Sequence, residues 1–186
     1  MKFNNHLINI YIFIERFNSL IEKKFLKIKN IRIIYENANI PSENFLRVIK
    51  FCKINKIKLY ILDNFRIALK YKLDGLLISS YNKEISKIQS IQLKKKNIEI
   101  LGKAHNQLEF FQKIRQGCGT IFLSPIFFTK KYGTNKIFGI SKFNLISLKW
   151  NSNLVALGGI NFSNYKKIKM TKSVGFGIKT LVKNFK

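Results

Sequence analysis

One loop in the second half of the chain combines the side chains that bind anions. Two hydroxyls, Ser124 and Thr129, and two ammonium groups, Lys130 and Lys131, follow an apolar Thr-Ile-Phe-Leu segment. Pro125 has no backbone N–H to donate, so it ends the pairing of that segment as a strand. Hydroxyl donors and mobile positive charge suit a phosphate group. The sequence therefore predicts a phosphate-binding loop at the end of a buried strand.

Two further loops have the same character. They are Leu101-Gly-Lys-Ala-His-Asn106 and Leu157-Gly-Gly-Ile-Asn161, and each begins where an apolar segment ends. Glycine lets backbone N–H groups approach a ligand closely, because it has no side chain in the way. Three polar loops at the ends of apolar strands indicate one shared binding mouth.

The elements that must position these loops follow a regular alternation. Short β-branched runs alternate with segments of helical periodicity, which is typical of βα units on a parallel sheet. Strands are predicted at 8–14, 31–35, 58–62, 75–78, 98–101, 120–123, 154–157 and 173–176. Helices are predicted at 18–27, 42–55, 65–72, 84–95, 107–115, 142–149, 163–169 and 179–185.

Eight strands and eight helices favour an α/β fold of the (β/α)8 TIM-barrel type over an open doubly wound sheet. No linker or change of composition divides the chain, so we expect one compact domain over residues 1–186. In such barrels the active site lies at the carboxyl-terminal ends of the strands, where all three polar loops fall.

The charge of the chain is unusual, with 35 Lys and Arg against 9 Asp and Glu and a net charge of +26. The basic residues are spread along the sequence, and Lys, Ile and Asn, which share A/T-rich codons, are all abundant. We therefore interpret the charge as compositional and expect no nucleic-acid partner, although a basic nucleic-acid-associated barrel stays an alternative. The apolar run 7–14 is too short to span a bilayer. This short run predicts no membrane partner. Two cysteines without metal-ligand spacing predict a cytoplasmic location and no zinc site, and the oligomeric state stays open.

Three motifs resemble one known family. Gly102-Lys-Ala-His-Asn106, Leu123-Ser-Pro-Ile-Phe-Phe-Thr129 and Val155-Ala-Leu-Gly-Gly-Ile160 are similar to the fifth-, sixth- and seventh-strand signatures of the thiamine-phosphate synthase and thiazole tautomerase (TenI) family. Asp63 and the Asp74-Gly75 pair resemble its third and fourth strands. The similarity runs from about residue 31 to the end of the chain, and the chain resembles a diverged member.

The resemblance implies an enzyme of thiamine biosynthesis, a transferase that couples a hydroxymethylpyrimidine diphosphate to a thiazole phosphate with loss of diphosphate. It implies Mg²⁺ as cofactor, with Asp63 as a metal ligand and Asn82 at the position of the second metal carboxylate. The catalytic residues that it implies are His105, Thr129, Lys130 and Lys131. The substrate- and phosphate-binding residues that it implies are Asn106, Ser124, Thr129, Gly158, Gly159 and Gly177.

The sequence departs from the family at several places, including Leu62 for the Asn before the first metal Asp, Asn82 for the second metal carboxylate, and Lys131-Tyr132 for a Thr-Lys pair. The family's Gln-x-Arg-x-Lys pattern after the second strand reads Ile34-Tyr-Glu-Asn-Ala38 here, so both cations are missing and we expect Glu36 to repel a diphosphate. The tautomerase branch uses a histidine where this chain has Pro125. A TenI-like tautomerase and a non-catalytic thiazole-phosphate-binding paralogue therefore stay as alternatives. From the residues alone, Asp63 could also cap the helix that begins near Phe65.

Overall fold

The computed structural model describes residues 8–37, 41–85, 98–129, 137–150, 152–161 and 163–179. Eight parallel strands pair in the order of the sequence, and the last returns to pair with the first, which closes a barrel. The strands are β1 Asn9–Ile14, β2 Ile31–Tyr35, β3 Lys58–Leu62, β4 Gly75–Ile78, β5 Glu99–Ala104, β6 Thr120–Leu123, β7 Leu154–Leu157 and β8 Gly175–Ile178. The predicted (β/α)8 barrel is confirmed.

Helices connect the strands on the outside of the barrel. They are α1 Ser19–Phe25, α2 Glu43–Ile54, α3 Phe65–Lys70, α4 Gln107–Arg115, α5 Gly139–Trp150 and a 3₁₀ helix, Tyr165–Met170. The helices predicted at 84–95 and 179–185 fall almost entirely outside the described residues. The helix predicted at 163–169 is a 3₁₀ helix in the structure, and it begins two residues later than predicted. Among the described residues, no helix has the length and apolar character needed to cross a membrane.

Three predicted strands have different bounds in the structure: β1 begins one residue later than predicted, and β5 and β8 extend further toward the mouth. The strand predicted at 98–101 continues to Ala104, because Lys103 and Ala104 still pair with Phe122 and Leu123 of β6. The strand predicted at 173–176 begins later, because the hydroxyls of Thr171 and Ser173 bond to each other at 2.7 Å in a turn before the strand. At its other end β8 extends two residues beyond the prediction, because Ile178 still pairs with Ile12 of β1.

The interior of the barrel is filled with side chains. Every second residue along each strand points inward, as the pleat of a strand requires. The buried members of this inner layer are Tyr11, Phe13, Ile34, Tyr60, Leu77, Leu101, Phe122, Val155 and Leu157. The alternate residues pack against the helices in a separate, larger cluster. Because the middle of the barrel is closed, a ligand can reach it only at the ends of the strands.

At the amino-terminal ends of the strands, a hydrogen-bonded cluster closes the barrel. Arg32 Nη1 donates to Tyr60 Oη at 3.0 Å, to Glu99 Oε2 at 3.2 Å and to Tyr11 Oη at 3.3 Å. Tyr60 Oη donates to Glu99 Oε2 at 2.6 Å, and Lys58 forms an ion pair with Glu99 Oε1. We call these five residues the basal cluster. Burial and the hydrogen bond to Glu99 raise the pKa of Tyr60 far above its ordinary value, so its hydroxyl stays protonated.

Candidate active site

Asp63 directly follows β3 and lies at the carboxyl-terminal mouth of the barrel. Its φ angle is 47°, a left-handed backbone conformation that Asp tolerates better than most residues. Its Oδ1 accepts hydrogen bonds from the backbone N–H of Ser79 at 3.0 Å and from Nδ2 of Asn82 at 2.9 Å. Its Oδ2 is buried and has no hydrogen-bond partner among the described residues. One carboxylate oxygen is therefore held in place, while the other has no hydrogen-bond partner in the described part of the chain.

The alternative role of Asp63 as a helix cap is wrong. The N-cap of α3 is Asn64, whose Oδ1 accepts a hydrogen bond from the backbone N–H of Ile67 at 3.1 Å. Asn is as good an N-cap residue as Asp, and one position along the chain decides which side chain reaches the helix. The carboxylate of Asp63 is directed toward β4 instead.

Asn82 orients Asp63 and does not present an oxygen to a metal. Its amide nitrogen donates to Asp63 Oδ1, and its Oδ1 accepts a hydrogen bond from the backbone N–H of Glu84 at 3.0 Å. The only group of Asn82 that could ligate a cation therefore faces its own loop. The geometry of Asn82 does not support its predicted position as a second metal ligand.

A buried lysine holds the loop that carries Asn82, and no motif or spacing in the sequence indicates it. Lys113 on α4 is 0% exposed, and its Nζ donates to the backbone oxygen of Asn82 at 2.7 Å and to Gln116 Oε1 at 2.8 Å. Gln116 Nε2 donates to the backbone oxygens of Asn82 at 3.0 Å and Glu84 at 2.9 Å. Burial lowers the pKa of Lys113, and the charge of Asp63 partly opposes that shift. Helix α4 thus clamps the loop after β4.

His105 and Asn106 connect neighbouring loops of the mouth. His105 Nδ1 lies 2.9 Å from the backbone oxygen of Ser124, so this nitrogen carries a proton and donates it. Asn106 is the N-cap of α4: its Oδ1 accepts from the N–H of Glu109 at 2.9 Å, and its Nδ2 donates to Glu109 Oε1 at 3.1 Å. Glu109 also accepts from the N–H of His105 at 2.7 Å. Both polar groups of Asn106 serve this cap, so its geometry gives no support to the predicted contact with a substrate.

The loop after β6 packs tightly on the glycines after β7. Gly158 and Gly159 have φ angles of 89° and 72°, which only glycine adopts readily. A Cβ on Gly159 would lie 2.4 Å from the backbone oxygen of Phe128, and one on Gly158 would lie 2.7 Å from Ser124 Oγ. Thr129 Oγ1 in the same loop is buried and has no hydrogen-bond partner within the described segments. The loop that carries Ser124 and Thr129 therefore lies directly against the loop that carries Gly158 and Gly159.

The predicted position of Gly177 beyond β8 is wrong. Gly177 lies inside β8, paired in register with Tyr11 of β1 and Leu157 of β7. A Cβ there would meet Leu157 Cδ1 at 2.7 Å and Phe13 Cε2 at 2.8 Å. Gly177 leaves room for the side chains that fill the barrel, and Lys179 is the residue that follows the strand.

Lys179 forms an ion pair across the mouth with Glu36. Its Nζ donates to Glu36 Oε2 at 2.7 Å and to Oε1 at 2.9 Å, and it lies 5.3 Å from the centre of the Phe13 ring. The Glu36 side chain is 11% exposed and that of Lys179 is 52% exposed. The pair neutralises most of the charge that was expected to repel a diphosphate. This arrangement could not be found by motif, because the two residues are 143 positions apart.

Lys103 is a further cation at the mouth. It lies in β5 two residues after Leu101, which belongs to the inner layer, so strand alternation directs Lys103 to the same inward face. Its side chain is partly buried. The sequence placed Lys103 in a loop because the predicted strand ended too early.

The two predicted catalytic lysines, Lys130 and Lys131, lie outside the described residues. Beside the mouth, a cavity of about 660 Å³ opens between α4 and α5. Its lining includes His105, Pro125 and Lys142. It lies next to the strand ends and not on the barrel axis.

The donor set at Asp63 fits a magnesium ion. Mg²⁺ binds oxygen ligands and commonly uses only one or two carboxylates, with waters and substrate phosphates completing its shell. Asp63 Oδ2 is a buried carboxylate oxygen without a partner in the described part of the chain. No group of three or more His, Cys, Asp and Glu side chains suitable for a metal occurs among the described residues. The fit is therefore to a hard cation shared with a ligand and not to a metal enclosed by protein.

The mouth and the barrel define a class: a (β/α)8-barrel protein with an open carboxylate, buried hydroxyls and lysines at the carboxyl-terminal ends of its strands. Comparison with known proteins identifies the family within that class. The profile of the family described as thiamine monophosphate synthase matches residues 15–178. The chain belongs to this family.

Individual relatives agree with that assignment. A thiamine-phosphate synthase from Prochlorococcus marinus is 35% identical over 119 residues, which are 63% of this chain and 34% of the relative. One from Pelagibacter ubique is 27% identical over 128 residues, which are 68% of this chain and 60% of the relative. The match thus spans about a third of one relative and three fifths of the other.

A solved structure supports the fold. The thiamine phosphate pyrophosphorylase from Pyrococcus furiosus superposes with a TM-score of 0.74 at 17% identity, over 96% of this chain and 88% of that one. At this identity the similarity establishes the barrel and leaves the chemistry to the residues of the mouth.

Proposed function

We propose that this chain catalyses the formation of thiamine phosphate by coupling a hydroxymethylpyrimidine diphosphate to a thiazole phosphate. One observation carries the proposal beyond family membership. Three buried oxygen atoms at the mouth, Asp63 Oδ2, Ser79 Oγ and Thr129 Oγ1, have no hydrogen-bond partner in the described part of the chain. Buried polar atoms in folded proteins are almost always paired. A phosphorylated ligand bound with a metal ion accounts for all three, because hydroxyls can donate to phosphate oxygens or ligate the ion, and the carboxylate oxygen can bind the ion.

The coupling breaks the bond between the methylene carbon of the pyrimidine and its diphosphate. Negative charge develops on the departing diphosphate, and fixed cations and donors lower the barrier by stabilising that charge. When bound at Asp63, magnesium supplies positive charge to the diphosphate oxygens. The hydrogen bonds from Ser79 and Asn82 to Asp63 keep the carboxylate in one orientation throughout.

Lysines at other strand ends supply the charge that the second strand lacks. Lys103 on the inward face of β5 is one candidate for the diphosphate. Lys179 is another, because its ion pair with Glu36 holds its ammonium group over the mouth. Because the Glu36 side chain is only 11% exposed, its carboxylate stays paired, and Lys179 can offer the remaining hydrogen of its ammonium group to a diphosphate.

The thiazole phosphate is assigned to the opposite side of the mouth. Thr129 has an unpaired buried hydroxyl, and Gly158 and Gly159 bring the backbone of the next loop against the same segment. The sequence predicts further positive charge at Lys130 and Lys131, which directly follow Thr129 in the chain. Phosphate groups bind well where hydroxyl and backbone donors converge with lysines.

The test is direct synthesis of thiamine phosphate from the two substrates with Mg²⁺, comparing the wild type with Asp63→Asn. Asn keeps the volume of Asp63 and removes the charge, so we expect turnover to fall by more than about 100-fold, beyond the effect typical of residues that only support a metal ligand. Glu43→Gln on the exposed face of α2 is the matched control and should keep full activity.

Two results would contradict the proposal. One is a folded wild-type protein that binds thiazole phosphate but forms no thiamine phosphate, which would favour the tautomerase or the binding paralogue. The other is an Asp63→Asn variant with unchanged turnover, which would remove the carboxylate from the reaction.

A further inference from the structure

Ser79 is a buried serine whose hydroxyl has no structural use in the described part of the protein. It follows β4, is 4% exposed, and its Oγ has no hydrogen-bond partner among the described residues. Two residues earlier, Leu77 belongs to the inner layer of the barrel, so the alternation of the strand directs Ser79 toward the mouth. A hydroxyl buried without a partner destabilises a fold, and alanine would fit the same space.

Ser79 and Asp63 are hydrogen-bonded neighbours, and each carries a buried side-chain oxygen without a hydrogen-bond partner in the described part of the chain. The backbone N–H of Ser79 donates to Asp63 Oδ1 at 3.0 Å, which ties the two residues together. Asp63 Oδ2 accepts no hydrogen bond within the described chain, so it offers only lone pairs to the mouth. Asp63 Oδ2 carries charge, and neither it nor Ser79 Oγ is hydrogen-bonded within the described residues. Such a pair of oxygens suits a hard cation better than an anion.

The nearby ammonium group does not neutralise this site directly. Lys113 is the buried cation behind Asp63, and its Nζ donates to the backbone oxygen of Asn82 and to Gln116 Oε1. No ion pair joins Lys113 to Asp63 in the part of the chain that is described. The charge of the carboxylate therefore stays directed at the mouth, while the clamp from α4 keeps the loop after β4 in place.

We propose that Ser79 Oγ and Asp63 Oδ2 together ligate a hydrated divalent cation, with Ser79 as the second protein ligand at this mouth. Serine hydroxyls are known ligands of Mg²⁺ beside a phosphate. In this arrangement Asn82 has a supporting role, since its amide nitrogen holds the other oxygen of Asp63. The inference rests on the proposed function and names the residues that bind its metal.

The first test measures Mn²⁺ binding to the protein without substrates, by the loss of the electron paramagnetic resonance signal of free Mn²⁺. We expect one bound ion per wild-type chain and an affinity about tenfold weaker in Ser79→Ala. The metal-free melting temperature of Ser79→Ala should be equal to or above that of the wild type, because the substitution removes an unpaired buried hydroxyl. Ser80→Ala, the adjacent serine, is the matched control and should leave the Mn²⁺ affinity unchanged.

The second test exchanges the ligand for a soft one. Ser79→Cys places a thiol where the hydroxyl was, and thiols prefer Cd²⁺ over Mn²⁺ and Mg²⁺. We expect the ratio of Cd²⁺ to Mn²⁺ affinity to rise at least tenfold in Ser79→Cys and to stay at the wild-type value in Ser80→Cys. The native Cys52 and Cys118 contribute little background, because burial raises the pKa of each thiol to about 12.

Three results would overturn the inference: no Mn²⁺ binding by the wild type, unchanged Mn²⁺ affinity in Ser79→Ala, or no gain of Cd²⁺ preference in Ser79→Cys. A melting temperature that falls in Ser79→Ala with Mn²⁺ affinity preserved would assign Ser79 to the fold instead. If these metal measurements succeed but no thiamine phosphate forms, the cation site stands and the proposed reaction fails. If thiamine phosphate forms and Ser79→Ala binds Mn²⁺ normally, the reaction stands and the role of Ser79 fails.

Discussion

At the amino-terminal end of the barrel every hydroxyl and charge of the basal cluster has a partner, whereas three buried oxygens at the carboxyl-terminal end have none among the described residues. Both ends are built from the same eight strands and carry lysine, acidic and hydroxyl side chains. The difference lies in hydrogen bonding. The polar groups of the basal cluster bond to one another, whereas the three oxygens at the mouth have no partner within the described residues. Paired polar groups contribute to stability, whereas buried groups without a partner cost stability.

The largest stability effect is expected from breaking the basal cluster at its centre. Arg32→Met removes the group that donates to Tyr11, Tyr60 and Glu99 while keeping most of the aliphatic volume. We expect the free energy of unfolding to fall by about 2 kcal/mol, less than the roughly 3–5 kcal/mol of a fully buried ion pair, because the Arg32 side chain is 22% exposed. Urea denaturation measures this change.

Ligand binding at the mouth serves as the control for Arg32→Met. The variant should bind thiazole phosphate as the wild type does, because the filled middle of the barrel separates the two ends. A variant that loses binding in proportion to its stability would show that the two ends are not independent.

Deleting one hydroxyl at each end of the barrel should change stability by smaller amounts than Arg32→Met does, and in opposite directions at the two ends. Tyr60→Phe removes a hydroxyl that is paired with Arg32 and Glu99, so the free energy of unfolding should fall by about 1–2 kcal/mol. Thr129→Val removes an unpaired buried hydroxyl with little change of shape, so stability should be unchanged or rise by up to about 1 kcal/mol. Thermal denaturation of the two variants gives both signs.

The two variants should also differ in their affinity for thiazole phosphate. Thr129→Val should weaken thiazole phosphate binding about tenfold, the value of one lost hydrogen bond to a charged group, while Tyr60→Phe leaves binding unchanged. If Thr129→Val lost stability and kept its affinity, the hydroxyl would belong to the fold and the contrast between the two ends would disappear.

The sequence predicted the barrel well because hydrophobic periodicity is a local signal. Five strands, 31–35, 58–62, 75–78, 120–123 and 154–157, have the predicted bounds. The errors at β5 and β8 arose where glycine and polar residues continue a strand beyond its apolar run. Pairing with the neighbouring strand, which is not visible in a single segment, sets those ends.

The mouth was predictable only in part, for the same reason. Asp63, Ser124, Thr129, Gly158 and Gly159 lie at the strand ends that the motifs indicated. The pairing of Glu36 with Lys179 and the burial of Lys113 depend on the closure of the barrel and the packing of α4, so no spacing reveals them. The distinction between Asp63 and Asn64 as cap required the actual end of β3.

The smallest expected effect is the pH dependence that the basal cluster gives to stability. Burial alone would raise the pKa of Glu99, but hydrogen bonds from Lys58 and Tyr60 and the charges of Lys58 and Arg32 outweigh it and lower the pKa overall. The stability that Glu99 contributes is therefore fully present above its ordinary pKa of about 4.3 and is lost as the pH falls through the folded value.

Urea midpoints at pH 6 and pH 3 test this sign by comparing the wild type with Glu99→Gln. The difference between the two proteins should be larger at pH 6 and shrink at pH 3, by less than about 1 kcal/mol because the Glu99 side chain is 35% exposed. Glu22→Gln breaks the exposed ion pair with Arg47 and serves as the control, with little difference expected at either pH. A difference that grew toward pH 3 would mean that Glu99 is destabilised when charged, and the basal cluster would then resemble the mouth in holding an unsatisfied carboxylate.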